Sequence, residues 1–187
     1  MPIEQLGAIG GAVAVVVLIV YLVMRHKAAI RAVFSGFAAK HGLQFTSGAY
    51  PNVSGQVDGR FTVARSYPMP RQQLVHFQIL VGIHGNVPKG LIAYAGRADK
   101  GVVTGDSQLD NRVHFEAAEP HALLAYLTPA RKAAFLELTA AKLAVSVPPG
   151  DENGGPVVIF AQPGFKTSVD WFEEKYQLAL GFAKRLD

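Results

Sequence analysis

The chain has 187 residues, half of them hydrophobic, and a formal net charge of +4. It contains no cysteine, which excludes disulfides, thiolate catalysis, zinc–thiolate sites and cysteine-held iron–sulfur clusters. From Ala32 onward fifteen Lys and Arg residues face thirteen Asp and Glu residues, so this part is nearly neutral and no nucleic-acid partner is predicted.

An uncharged run of nineteen residues, 6–24, lies close to the start of the chain and reads LGAIGGAVAVVVLIVYLVM. A helix of this length covers roughly 28 Å, close to the hydrocarbon thickness of a bilayer. The run is long for a signal-peptide core, and no Lys or Arg precedes it. We therefore expect a transmembrane helix over 6–24 after a short extracytoplasmic tail, 1–5. A buried helix of a globular core is the alternative, which the lack of a polar face disfavours.

Three basic residues, Arg25, Lys27 and Arg31, follow the run directly. By the positive-inside rule they place the C-terminal domain in the cytoplasm, which predicts a single-pass protein of the cell inner membrane. The same side chains are candidate contacts for anionic lipid headgroups, each worth about 1 kcal/mol. The alternative is that they act as a topology signal alone.

Small residues recur four apart in the run, as Gly7 with Gly11 and as Gly10 with Ala14. This spacing lets a second helix approach closely in lipid, so these four are candidate helix-packing residues. The expected partners are membrane lipid and other transmembrane subunits. Because the run has no ionisable residue, a proton relay or ion path on this helix is disfavoured.

Residues 25–42 continue in helical register as a juxtamembrane amphipathic helix. One apolar stripe follows the helical period, and Gly42 suits the position after the helix end. The stripe consists of Ile30, Val33, Phe34, Phe37 and Ala38.

The remaining residues, 43–187, alternate between strand-like and helix-like patterns. Asp58-Gly59 is a strong two-residue hairpin signal, and Thr128-Pro129 is typical of a helix N-cap followed by proline. Strands are predicted over 53–57, 60–66, 74–84, 90–96, 101–104, 112–116, 143–147 and 157–162. Helices are predicted over 120–127, from 129 to about 142, and from Thr167 or Ser168 to Leu186.

These elements predict an α+β fold with one N-terminal transmembrane helix. A mainly antiparallel sheet with packed helices follows it as a cytoplasmic α+β domain over 43–187. The length of this part suffices for one domain with its own core.

The segment TGDSQLDNRV, residues 104–113, is followed by LAYLTP at 124–129 and by Phe135-Leu136. It resembles uncharacterised bacterial single-span membrane-anchored proteins that carry a TGDxxFDxxF segment. Leu109 and Val113 stand where that family usually has Phe, which keeps both positions apolar. The resemblance implies the fold and the membrane anchor, and it implies no activity.

Residues 102–107 also resemble the nucleophile block of GDS-type esterases, in which an apolar strand delivers a serine into a turn. Such a serine needs a base, which those enzymes supply from an Asp-x-x-His pair. The nearest pair here, Asp110 and His114, is one residue too long. The alternative is structural: Gly105 permits a tight turn in which Asp106 accepts backbone N–H groups.

No catalytic, cofactor-binding or metal-binding residue is predicted. Asp106 and Asp110 are interpreted as a turn linked to Arg112 by charge rather than as an acid–base pair. The histidines lack metal-ligand spacing and are expected to be ordinary surface or edge residues. They are His26, His41, His76, His84, His114 and His121, with His76 and His84 predicted on one strand.

The sequence therefore predicts a non-enzymatic accessory or scaffolding subunit of a larger membrane protein complex. The alternative is a membrane-tethered module that binds a lipid, a peptide or a small ligand. A GDS-type esterase is the remote alternative.

Overall fold

The computed structural model describes residues 3–68, 75–97, 101–146, 155–164 and 166–187, and for residues 3–13 it describes the backbone alone. The helices of this described part are α1 (Ile3–His41), α2 (Ser107–Asp110), α3 (Pro120–Tyr126), α4 (Pro129–Ala141) and α5 (Val169–Leu186). Its strands are β1 (Gln44–Thr46), β2 (Asn52–Val57), β3 (Arg60–Pro68), β4 (Val75–Gly82), β5 (Ile92–Ala95), β6 (Val113–Glu116), β7 (Leu143–Ser146) and β8 (Val157–Pro163).

The strands form a single eight-stranded sheet in the order β1-β2-β3-β4-β8-β7-β5-β6. Every neighbouring pair in it is antiparallel. The prediction of an α+β fold with a mainly antiparallel sheet is therefore confirmed.

One face of the sheet is covered by α4, α5 and the last turns of α1, and the core lies between these two layers. Alternate residues of each strand point into it, as in β4, where Phe77, Ile79 and Val81 are fully buried. Phe77 contacts the rings of Phe34 in α1 and Phe172 in α5 at centroid distances of 6.0 and 5.1 Å. The sheet and the helices thus share one continuous core.

Helix α1 is continuous over 39 residues. The predicted stripe docks as expected, with Val33, Phe34, Phe37 and Ala38 buried. The helix ends at His41, the following Gly42 has φ of +66°, and the Leu43 N–H donates to the Ala38 carbonyl at 2.9 Å. This is the Schellman arrangement, which a glycine at the left-handed position favours.

Among the residues that the structure describes, no helix is both long enough and apolar enough to cross a membrane. The predicted span, 6–24, begins in the part of α1 whose side chains lie outside the described residues.

Several local predictions are confirmed. Asp58 and Gly59 join β2 to β3 with φ of +51° and +75°, and Val57 pairs with Arg60 across the turn. Thr128 caps α4, and Ser168 caps α5. Strands β7 and β8 pair as predicted, whereas most of the loop between them lies outside the described residues.

Two local predictions are wrong. Residues 101–104 form no strand, because Thr104 is bound by the turn that follows it. Strand β4 ends at Gly82, so His84 does not share a strand with His76. His84 lies instead in the following loop, where its Nε2 is 3.2 Å from the Gly59 carbonyl.

Candidate functional site

Ten consecutive large residues of α1, Val15–Met24, are exposed, each by 47 to 66%. Successive residues of a helix point about 100° apart, so exposure of ten in a row means that no side of this segment is covered by the part of the domain that the structure describes. We call Val15–Met24 the apolar segment. A helix that is apolar on all sides is normally covered by lipid or by protein, and none of the described residues of the domain covers this one.

The predicted helix-packing residues lie at or before the start of this segment. Ala14 is exposed on α1. Gly7, Gly10 and Gly11 belong to the same helix, but the surroundings of these positions lie outside the described residues.

The predicted headgroup residues lie on the turns that follow the apolar segment, and all three side chains are exposed. Arg31 Nη2 donates to the Gly48 carbonyl at 3.3 Å, which ties α1 to the loop between β1 and β2. Lys27 and Arg31 line a shared cavity, whereas Arg25 is not among the residues that line it.

The cavity lies between α1, the loop before β2 and the adjoining ends of β3 and β4. Its volume is about 280 Å³, and we call it the helix cavity. Its described lining is mostly apolar or uncharged, with basic side chains on the α1 side. The lining residues are His26, Lys27, Ile30, Arg31, Gly48, Ala49, Tyr50, Pro51, Ser66, Val75 and Gly164.

No pattern in the sequence predicted this cavity. Lys27 and Arg31 are four residues apart, as are His26 and Ile30, and helical spacing alone places such pairs together. The opposite wall comes from residues distant in the chain, and no pattern within the sequence indicates that Tyr50 faces them.

Aromatic packing fixes the base of α1 on α5. The Phe37 ring lies 4.4 Å from the Phe172 ring and 5.1 Å from the Tyr176 ring, measured between centroids. Phe34 adds an edge-on contact with Phe172 at 5.4 Å. Such pairs stabilise by about 0.5–1.5 kcal/mol beyond the burial of their area. The α1 wall of the helix cavity is thus held by core contacts one to two turns away.

An ion-pair cluster joins the same two helices. Glu173 Oε2 in α5 lies 3.2 Å from Lys40 Nζ and 3.0 Å from His41 Nε2. Gln177 also donates to Glu173, at 2.8 Å. Burial alone would raise the pKa of Glu173, but the hydrogen bonds from His41, Gln177 and Lys40 outweigh it and lower that pKa.

The TGD segment forms a hydrogen-bonded turn. The Asp110 carboxylate accepts bonds from the N–H and hydroxyl of Thr104, at 2.9 and 2.7 Å, and from the Gly105 N–H at 3.1 Å. Gly105 has φ of +81°, as its predicted role in a tight turn requires. The Asp110 carboxylate thus holds the backbone of the turn in place.

Asp106 caps α2 by accepting from the Gln108 and Leu109 N–H groups at 3.2 and 3.3 Å, as the structural interpretation predicted. Its charge partner is Lys132 in α4, at 3.4 Å, rather than the expected Arg112. The bond from Leu109 and the contact with Lys132 hold the pKa of Asp106 below its usual value, against a smaller effect of desolvation. The apolar positions of the segment, Leu109 and Val113, are fully buried.

Ser107 lies at the exposed start of α2. Within the described residues its main-chain oxygen accepts from the Asn111 N–H and side-chain amide, at 3.2 and 2.8 Å. The ring nitrogens of the buried His114 contact other residues: Nδ1 lies 3.1 Å from the Arg97 carbonyl, and Nε2 lies 3.0 Å from Glu116. His114 lies on β6, an edge strand of the sheet, as one of the two expected placements, but its side chain is not on the surface, since only 6% of the residue is exposed.

A second charge cluster joins the end of α5 to the start of β3 and to the loop after β4. Buried Arg60 forms an ion pair with Asp187 and donates to the Gly82 carbonyl at 3.1 Å. Asp187 Oδ1 also accepts from the N–H groups of His84 and Gly85, at 2.8 and 3.2 Å. Burial would raise the pKa of Asp187, but Arg60 and the two backbone donors outweigh it and lower that pKa.

Across the described ranges, no group of three or more His, Asp or Glu side chains is arranged to hold a metal ion. Comparison with models of protein families, with curated proteins and with solved structures found no match to the chain.

Proposed function

We propose that the chain is a non-enzymatic single-pass membrane protein and an accessory or scaffolding subunit of a larger membrane complex. In this proposal residues 6–24 span the inner membrane, the N-terminus lies outside and 43–187 lie in the cytoplasm. The single observation that carries it is the exposure of the whole apolar segment on a helix whose base is fixed in the domain core.

Covering the apolar segment supplies the driving force. A buried Val, Leu or Ile side chain contributes about 1.5–3 kcal/mol relative to an exposed one. Several such residues exposed together in water would favour aggregation strongly, whereas lipid tails cover them at no cost to the domain. The charge-free run in the sequence and the basic residues after it support the same arrangement.

The scaffolding role is supported by what the polar clusters do. The carboxylates of Asp106 and Asp110 are engaged by the turn that contains them, and Glu173 and Asp187 hold elements of the fold together. These groups perform structural work, which leaves them poorly placed for acid–base chemistry. The small residues at 7, 10, 11 and 14 remain the proposed contact with other transmembrane subunits.

The absence of cysteine from the sequence permits a clean topology experiment. Gln5→Cys and Lys166→Cys each introduce one thiol, and an impermeant maleimide is applied to intact cells. We expect labelling at position 5 in intact cells and at position 166 only after lysis. The reverse pattern would contradict the orientation, and release of the protein by carbonate would contradict the span.

The subunit role is tested by purification in mild detergent. We expect the full chain to co-purify in a fixed ratio with at least one membrane protein, and the association to weaken when Gly7 and Gly11 are both replaced by Leu. A matched double replacement of Val16 and Val20 by Leu keeps the helix apolar and serves as the control. A strictly monomeric wild-type protein would contradict the role.

The helix cavity favours a second candidate function, a membrane-tethered module that binds a lipid. Its largely uncharged lining and the basic side chains at its rim are the combination that such a site requires. The two functions are compatible, since a bound lipid can form part of a membrane assembly. The resemblance to single-span anchored proteins through the TGD segment stays a prediction.

A further inference from the structure

We propose that the helix cavity binds one anionic phospholipid, with the phosphate at Lys27 and Arg31 and part of the apolar body against Ile30, Tyr50 and Val75. This inference rests on the proposed membrane span, and it assigns a ligand class to a cavity that the span alone does not explain.

The depth of the cavity matches the headgroup layer. Its α1 residues begin two positions after Met24, at His26, and end seven positions after it, at Arg31. At about 1.5 Å per residue they lie roughly 3–10 Å beyond the apolar segment along the helix axis. The polar layer on each side of the hydrocarbon core is about 5–8 Å thick. With the span in place, the cavity therefore opens where lipid phosphates lie.

The charge of the cavity favours an anion. Lys27 and Arg31 line it, and none of its described lining residues is acidic. Arg31 donates one N–H to the Gly48 carbonyl, which leaves most of its guanidinium donors available. Lys27 is exposed and lines the cavity, so its ammonium can meet a phosphate there.

The size and lining favour part of a lipid over a free anion. A volume of about 280 Å³ is slightly below the roughly 300–1,000 Å³ of sites that enclose a drug-sized ligand. The apolar side chains of the lining cannot bind an anion, but they can pack against the glycerol and first methylenes of a lipid whose remaining length stays in the bilayer. They belong to Ile30, Pro51 and Val75. The neighbouring Arg25 has the same charge but does not line the cavity, which provides a matched control.

The test is native mass spectrometry of the full chain released from detergent micelles with added phosphatidylglycerol or phosphatidylcholine. We expect the protein to retain phosphatidylglycerol at least about fivefold more tightly, the effect of roughly one basic residue at a headgroup. Lys27→Gln should lower that affinity about fivefold, whereas Arg25→Gln should change it by less than about twofold. Ala49→Phe, which fills the cavity without changing charge, should also lower it.

Three outcomes would overturn the lipid site. One is equal retention of the two lipids, and another is an equal loss in Lys27→Gln and Arg25→Gln, which would indicate diffuse attraction. The third is displacement of the lipid by millimolar inorganic phosphate with no effect of Ala49→Phe, which would show that an anion binds the basic side chains and that the lipid does not occupy the cavity. Thermal melting of each variant checks that the fold is kept.

The proposed function is judged by a separate readout. All variants should remain in the carbonate-washed membrane fraction. Loss of the wild type from that fraction would contradict the span, whereas binding in micelles would still decide the lipid site.

Discussion

Arg60 is a cation placed inside the domain, with 8% of its side chain exposed, and Asp187 is its counter-charge. The pair links the start of β3 to the end of α5, which are 127 residues apart in the chain. Removing one member of a buried pair leaves the other charge without compensation, which is the costly way to break such a contact. Replacing Arg60 is therefore expected to lower the free energy of unfolding by more than replacing an exposed arginine would.

We expect Arg60→Met to lower the free energy of unfolding by about 2 kcal/mol, below the usual cost because Asp187 keeps some access to water. Arg65→Met is the matched control on the same strand, since Arg65 is exposed and bonds Gln78. Its cost should stay below about 1 kcal/mol. Urea denaturation of both variants measures the difference, and equal losses would contradict the argument.

Tyr126 provides a test at high pH. Its hydroxyl donates to the Leu186 carbonyl at 2.7 Å, and the Arg131 guanidinium lies 4.0 Å from its ring centroid. Burial raises the pKa of Tyr126 to about 12, with a smaller opposing effect of Arg131. Since the unfolded chain ionises near pH 10, this proton stabilises the fold below pH 10, and the stability is lost as the pH rises towards 12.

We expect Tyr126→Phe to cost about 1 kcal/mol at pH 8 through the lost hydrogen bond. The gap between wild type and variant should narrow above pH 10, because Phe has no proton to lose. Urea denaturation at pH 8 and pH 11 measures both gaps. Tyr94→Phe, at an exposed tyrosine, is the control and should show a constant gap. A constant gap for Tyr126→Phe would refute the assignment.

The residue-level predictions that are confirmed concern residues whose partners are close in the chain. Asp106 caps the turn that Gly105 begins, and the signal lies within four residues. The burial of Arg60 and His114 was not predicted, because burial of a polar residue depends on partners that are distant in the chain. The predicted charge link between this turn and Arg112 is replaced by one between Asp106 and Lys132, which is 26 residues away in the chain.

At the level of elements, the contact between α1 and α5 packs the last turns of the N-terminal helix against the domain. Its centre is the aromatic group of Phe34, Phe37 and Phe172, and its edge is the Glu173 cluster. The cluster responds to acid, because a carboxylate with a lowered pKa stabilises the fold above its unfolded pKa. That stability is lost as the pH falls through the lower value of the folded state.

We expect Glu173→Gln to cost about 1 kcal/mol at neutral pH, where the carboxylate meets Lys40 and His41. The gap from wild type should shrink as the pH falls below about 4.5, the ordinary value for a glutamate. Glu174→Gln, at the exposed neighbour, is the matched control and should change stability by less than about 0.5 kcal/mol. Thermal melting from pH 3 to 7 measures both, and a pH-independent gap would count against the role of Glu173.

The elements that the sequence predicted are those with a local signature. The Asp58-Gly59 turn, the caps at Thr128 and Ser168, and the apolar stripe of α1 each carry one. Strand β1 was missed because three residues are too short for an alternating pattern. The order of the strands, with β8 beside β4, also required the whole fold.

On the scale of the whole molecule, the side chains of the apolar segment add nothing to the packing of the domain, since none of the described domain residues covers Val15–Met24. We therefore expect Leu18→Arg to leave the thermal midpoint of the domain unchanged. The same change should reduce carbonate-resistant membrane association, because a charge at the centre of a span costs about 2.5–3.5 kcal/mol.

Leu124→Arg is the matched control, since Leu124 is an exposed leucine on α3. It should leave membrane association intact. Equal association of the two variants, measured by quantitative blotting of the washed fraction, would contradict the proposed membrane role of the apolar segment.

Because α1 is one continuous helix, a movement of its outer turns also moves the part packed on the domain. Its 39 residues measure roughly 58 Å at the helical rise, and no loop separates its outer turns from the part packed on α5. A tilt of about 10° around its midpoint swings the sheet by about 5 Å in the opposite direction. Whatever holds the outer turns thus sets the orientation of the domain, and a movement there is passed on as a rigid rotation.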